Sequence, residues 1–443
     1  MIFKRKIYNE LLEWKNRDNG STAALIKGAR RIGKSTIATE FARNEYKSHI
    51  IIDFSICSAE IRNLFDDISN LNFLFMRLQL EFGVELQERN SVIVFDEVQL
   101  APKARQAIKH LVKDGRYDYI ETGSLISIRK NIEGIVIPSE EVAIEMYPMD
   151  YEEFKWALGD TATIPLLRDC FIKRISPGEA LNRKLMRDFR TYMLVGGMPQ
   201  AVAEFLSGNN LERVDQIKRN IINLYEQDFN RIDPRGTASM LFRNIPAQLT
   251  SNANRYLTWS ASDGTREADS AEIISEMRES MVVNMAYRVS DPSAAMGLHH
   301  SPRAYKMYIG DTGIFITLAF WNSKFSDNII YKKLISDKIS TDLGYVYENV
   351  VAQMLRAAGR ELFYYTFATP SGKHNYEIDF LISDGAKISP VEVKSSSYRV
   401  HASLDAFCDK FSERIKHKYV IYQKELRKEE DILYLPFYMS MFM

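Results

Sequence analysis

Five short apolar runs punctuate the first 150 residues: TAALIK (Thr22–Lys27), HIIIDFS (His49–Ser55), SVIVFDE (Ser91–Glu97), YDYIETGS (Tyr117–Ser124) and VAIEMYPM (Val142–Met149). Each is β-rich and almost continuously apolar, the pattern of a strand buried on both faces. The stretches between them are long enough for crossover helices. The pattern therefore predicts βαβ units and a parallel sheet over residues 1–150.

The period then changes. From Asp150 to about Phe229, YEEFKWAL and the run Asn220–Tyr225 repeat at helical spacing, broken at Gly196–Pro199 because Gly and Pro do not continue a helix cheaply. The turn Asp233–Gly236 marks a boundary, so 151–235 is expected to be a helical, lid-like segment. Short helices, the strand-like run Met281–Ser290 and a polar loop follow. This order predicts a winged-helix-like region over 236–330. From 331 to 443 the chain alternates again: a helix Thr341–Ala358 with an apolar stripe, three strand-like runs (LFYYTFA, YEIDFLIS, ISPVEVKSS), a helix Ser403–Glu413 and the strand KYVIYQ. The fold class expected is α/β and multidomain.

Composition narrows the setting. Hydrophobic residues make up 46% and charged residues 26% of 443, as in a globular chain too long for one core. Lys plus Arg equals Asp plus Glu, so overall charge favours no nucleic-acid partner. Cys57, Cys170 and Cys408 are odd in number and far apart, which fits a reducing compartment. The N-terminus has no signal-peptide core, and no apolar run reaches bilayer length. The expectation is a cytoplasmic protein without membrane contact.

The first candidate site is GARRIGKST: Gly28, Ala29, Arg30, Arg31, Ile32, Gly33, Lys34, Ser35 and Thr36. It fits the Walker A pattern and lies between a predicted strand and a predicted helix, the context that pattern requires. Two glycines let the backbone turn so that N–H groups converge on phosphate oxygens, and the helix adds its positive end. Lys34 is expected to reach the β- and γ-phosphates and Ser35 to ligate Mg²⁺. Such a site needs a carboxylate at the end of a neighbouring buried strand. VIVF-Asp96-Glu97 supplies one, with Asp96 assigned to Mg²⁺ and Glu97 to taking a proton from water. Thr122–Ser124 ends the next strand, where Thr122 is a candidate sensor of the γ-phosphate or an ordinary turn residue. Arg116 and Arg129 lie in the region of an arginine finger but read as surface residues.

The second candidate is the hairpin YEIDFLISDGAKISPVEVKSS. With Gly385-Ala386 as the central pair of a type II′ turn, Asp379 lies opposite Glu392. With Asp384-Gly385 central, the pairing slides by two. In either register Asp379, Glu392 and Lys394 share one face. Facing carboxylates repel, so Lys394, a metal ion or solvent must offset them. A divalent cation on Asp379 and Glu392, with Lys394 placing water and Glu348 adding a fourth group, is the arrangement of Asp…Glu-x-Lys nucleases. A solvated face of alternating charges gives the same pattern. Lys plus Arg nearly equal Asp plus Glu between Tyr331 and Met443, so no basic patch supports DNA affinity there.

Eight short boxes stand in order along the chain: GARRIGKST, IVFDEVQ with Gln99, ETGS, YPMDYEEF, Tyr192…GGMP, YIGDTG, GYVYENVVAQML and EIDFL…VEVKSS. By these the sequence resembles prokaryotic AAA-type P-loop ATPases that carry a C-terminal domain of unknown function, DUF4143. The resemblance implies an ATPase core, a helical segment, a winged-helix-like middle and a restriction-endonuclease-like (PD-(D/E)xK) end. One departure is the Gly-Arg box expected soon after ETGS: the chain has Gly134 there but no Arg. The leading expectation is a Mg²⁺-dependent ATP hydrolase whose nucleotide state acts on its appended domains. Two rivals are a nucleotide-regulated metal nuclease and a non-catalytic nucleotide switch that captures a protein. The macromolecular partner, whether nucleic acid or protein, and the oligomeric state are left open.

Overall fold

A computed structural model describes residues 1–123, 139–250, 267–335, 343–396 and 398–443, with side chains left out of the description at 267–270 and 335. Ser124, Arg129 and Gly134 lie outside the described residues. The chain divides into two units, Met1–Tyr147 with Glu279–Met281 and Pro148–Arg278 with Val282–Met443.

In the first unit the five apolar runs become strands: β1 (Ala23–Lys27), β2 (Ser48–Asp53), β3 (Ser91–Asp96), β4 (Asp118–Gly123) and β5 (Glu141–Glu145). They pair in parallel in the order β2-β3-β4-β1-β5. Every residue of β3 and β4 is buried, which is why their sequences run apolar instead of alternating. The core on one side holds Phe54, Phe65 and Phe95 in edge-to-face contact at 5.4–5.9 Å. Because all five strands are parallel, their C-terminal ends share one edge of the sheet. The chain leaves β1 for a distant position while β4 sits beside it. Ligands of open α/β sheets bind at such a switch point.

The second unit starts with helices, including Tyr151–Ala157, Glu179–Val195 and Leu211–Ile232. It ends in a mixed sheet of eight strands ordered β12-β13-β11-β10-β9-β8-β6-β7. Their ranges are β6 Val283–Val289, β7 His300–Ile309, β8 Leu362–Ala368, β9 Asn375–Asp384, β10 Lys387–Val393, β11 Lys418–Tyr422, β12 Arg427–Glu429 and β13 Ile432–Pro436. The strand expected inside the winged-helix-like region is β6. It pairs antiparallel with β7 and parallel with β8, so strand pairing does not set 236–330 apart from 331–443. β6 is an interior strand, between β8 and β7, and is buried along most of its length.

Several boxes meet at one buried knot in this unit. Gly197 donates its N–H to Asp311 Oδ2 at 2.5 Å and accepts from Met149 N at 2.8 Å. A Cβ on Gly197 would lie 2.0 Å from the Met149 carbonyl oxygen, so only glycine allows this approach. Asp311 also caps the helix Thr312–Leu318 through Ile314 N. Tyr192 donates to the Met149 carbonyl and accepts from Gln353 Nε2 at 2.8 Å, while Gln353 Oε1 accepts from both the amide and the hydroxyl of Thr312. Asn349 bonds both polar groups of the Ile309 backbone. The glycines, Asp311, Tyr192, Asn349 and Gln353 of those boxes thus satisfy one another's buried polar groups.

Candidate functional site

The segment after β1 turns sharply into the helix Lys34–Glu45. Arg31 and Gly33 both have positive φ, 70° and 98°. The Arg31 conformation is costly for a residue with a side chain, and strain of this kind collects at functional loops. A Cβ on Gly28 would lie 2.3 Å from the Met146 carbonyl oxygen. Lys34, the first residue of the helix, is buried, and its ammonium donates to the carbonyls of Gly28 at 3.0 Å and Ala29 at 2.8 Å. The charge therefore lies inside the loop's concavity. Arg5, which sequence reading missed, donates to the Ile32 carbonyl at 2.8 Å and the Tyr147 carbonyl at 2.6 Å. It ties the loop to the chain beyond β5, and no local pattern announces a contact between residues so far apart.

Beside the loop, Asp96 ends β3. Its Oδ1 accepts from Ser35 Oγ at 2.7 Å and from the Thr122 hydroxyl. Three elements supply these groups: the helix after β1, the end of β3 and the end of β4. Thr122 is fully buried and also accepts from Glu97 N at 3.4 Å, so here it orients the acid pair. Glu97 takes a left-handed conformation, φ 55° and ψ 44°, and its carboxylate accepts from Gln99 Nε2. Behind β4, Glu121 points away from Thr122, as period two requires, and pairs with Arg105 at 2.9 Å. Arg105 also reaches Glu141 at 3.0 Å. Complete burial pushes the Glu121 carboxyl up to about 8, against the pull of Arg105. Arg116 bonds Asp114 and Asn72 at the surface, matching its reading as a surface residue.

An apposed hydroxyl and carboxylate are hard oxygen donors, the set that Mg²⁺ takes beside a phosphate. The donor chemistry at Ser35 and Asp96 fits that ion.

The hairpin follows the first of the two registers. Lys387 pairs with Asp384 and Val391 with Phe380, leaving Gly385 and Ala386 in the turn, with positive φ at Gly385 alone. Continuing the ladder by one pair sets Asp379 opposite Glu392. Asp379 Oδ2 accepts from Val393 N at 2.7 Å, and Lys394 reaches Glu392 Oε1 at 2.6 Å. A second lysine, Lys306 on β7, is buried among the acids, 3.1 Å from Glu348 Oε1 and 2.5 Å from Glu377 Oε1. The Tyr308 hydroxyl also donates to Glu348. Burial would lower the Lys306 ammonium, but Glu348 and Glu377 outweigh it and hold the group above its ordinary value. Burial raises Asp379 well above the carboxylate range, and Glu348 adds to the effect. Sequence reading found Glu348, Asp379, Glu392 and Lys394 but not Lys306. Its only signal is a lysine two residues before the Tyr308 of the YIGDTG box.

Residues 20–155 match the family model described as AAA domain. The N-terminal region carries an AAA-type P-loop domain. Residues 343–438 match a domain of unknown function, DUF4143, and residues 186–324 match another, DUF8612. Among solved structures, the Walker-type ATPase PABY2304 of Pyrococcus abyssi aligns at 16% identity over 72% of this chain and 96% of its own, with TM-score 0.43. Cdc6p from Pyrobaculum aerophilum aligns at 12% identity over 76% and 94%, with TM-score 0.24. PCH-2 of C. elegans aligns at 12% over 37% and 49%, with TM-score 0.23. At these scores the likenesses carry no functional argument. No curated protein matches the chain. No helix among the described residues is long and apolar enough to cross a membrane.

Proposed function

We propose that this protein is a Mg²⁺-dependent ATP hydrolase in which nucleotide state acts on the appended C-terminal unit. The observation that carries the reading is the convergence of Ser35 and Thr122 on one oxygen of Asp96, next to the loop that buries Lys34. Lys34 exchanges its loop carbonyls for β- and γ-phosphate oxygens, and the N–H groups of Gly28–Thr36 complete the cradle. Ser35 and Asp96 hold Mg²⁺, which when bound neutralises charge on the phosphates. Thr122 keeps the Asp96 carboxylate in register. Glu97 takes the proton of the attacking water, and Gln99 sets the direction of its carboxylate. Calorimetry with MgATP tests the reading. Tight uptake is expected, and no uptake of any nucleoside triphosphate by folded protein overturns it.

The C-terminal sheet supports a second part of the proposal, a nuclease-like fold. The helix Gly344–Ala357, then β8, β9 and β10, the helix Ala402–Lys410 and β11 follow in αβββαβ order. β8, β9 and β10 pair antiparallel, and β11 joins β10 in parallel. Of the four residues expected of an Asp…Glu-x-Lys site, Glu348 lies on that helix, Asp379 on β9, Glu392 on β10 and Lys394 just past its end. In this reading the fold serves coupling or partner binding.

A further inference from the structure

The nuclease-like reading calls for a divalent cation at Asp379 and Glu392, and the residues present do not fit one. A cation of that kind needs several carboxylate or carbonyl oxygens turned toward a common point and free to ligate it. Here one oxygen of each carboxylate is already engaged. Glu348 Oε1 faces Lys306 and Tyr308, and Glu377 Oε1 faces Lys306. Asp379 Oδ2 accepts from the Val393 amide, and Glu392 Oε1 holds Lys394. Among the described residues, Glu392 Oε2 is buried without a hydrogen-bond partner, and no three His, Cys, Asp or Glu side chains are placed to hold a metal ion together.

We propose that the Lys306 ammonium is the resident cation of this cluster, replacing a divalent metal, and that the site is an internal ion lock instead of a nuclease centre. This inference rests on the nuclease-like reading of the αβββαβ sheet and is independent of ATP binding. Lys306 lies on β7, Glu377 on β9, and β6 and β8 stand between those strands in the ladder. Glu348 comes from the helix Gly344–Ala357. One ammonium thus joins three elements that backbone pairing does not join. Breaking such a buried set by removing one partner costs more than a surface pair, because it leaves charges buried and uncompensated. Lys394, expected to place water, is committed to Glu392 at 2.6 Å.

The test is Mn²⁺ titration of nucleotide-free, full-length protein, followed by the electron-paramagnetic signal of free Mn²⁺. In the wild type, any Mn²⁺ uptake should vanish in Asp96→Asn and stay unchanged in Asp379→Asn. Lys306→Met should gain about one Mn²⁺, because the carboxylates lose their internal partner, and adding Asp379→Asn should abolish the gain. A wild-type site that Asp379→Asn removes overturns the proposal. So does a folded Lys306→Met protein that gains none. If Lys306→Met does not fold, the wild-type comparison still decides. Failure of MgATP to bind would sink the ATPase reading and leave these outcomes untouched.

Discussion

Asp96 at the end of β3 meets two hydroxyls, Ser35 and Thr122. Asp379 and Glu392, on the β9–β10 hairpin, meet a backbone amide and a lysine, with Lys306 holding the neighbouring acids. Both clusters have carboxylates carried on strands, and the sequence offers both as candidate metal sites. What separates them is whether the protein has already neutralised the charge. Hydroxyl donors orient a carboxylate and leave its charge available. Ammonium groups use that charge up. An acid pair in a sequence is therefore half a description, and the other half is the cation nearest to it in space.

The largest expected effect breaks the comparison on the nucleotide side. Glu97→Gln should lower ATP turnover by about 10²–10⁴-fold with ATP affinity retained, read by phosphate release and calorimetry. Turnover at the normal rate would remove Glu97 from its role. Lys34→Ala should weaken MgATP binding by about 100-fold or more, since it deletes charge-assisted bonds to phosphate. Equal affinity would show that the loop does not grip the triphosphate. Gln99→Ala sharpens the same site: kcat should fall by about 10-fold and KM hold steady, because only the aim of Glu97 changes.

Two smaller effects report on the scaffold. Gly197→Ala should cost about 1–3 kcal/mol in thermal unfolding while leaving MgATP affinity unchanged, since the knot at Met149 and Asp311 cannot take a methyl group. The last prediction is a pH slope. Glu121 holds its proton up to about pH 8 in the folded chain, well above the ordinary carboxylate value of about 4.5. Its contribution is complete below the unfolded value and is lost as pH rises through the folded one. Melting between pH 6.5 and 8.5 should therefore fall by about 2–4 °C from this group, and Glu121→Gln should flatten the slope. A steeper slope in the variant would refute the assignment.

Much of this was legible along the chain. The strands of the first unit stood out because parallel strands buried on both faces are apolar throughout, and the loop because its glycines and lysine keep a fixed spacing. Period two put Asp379, Glu392 and Lys394 on one face in either hairpin register, and only the paired strands selected the Gly385-Ala386 turn. What the chain did not reveal is that the sheet runs across the boundary expected at 330, since β6 pairs with both β7 and β8. β6 has the same apolar run whether it pairs with one neighbour or two, and only the paired sheet distinguishes these cases.

By itself the sequence determined whatever depends on near neighbours: the strand period, the turn into the helix at Lys34, the Asp-Glu pair at the end of β3 and the shared face of Asp379, Glu392 and Lys394. Tertiary structure alone decided what each charge meets. Arg5 on the phosphate loop, Arg105 on Glu121 and Lys306 among Glu348 and Glu377 are contacts between residues 16 to 71 positions apart. Coulomb energy depends on separation in space and on burial, and neither is written in the order of residues.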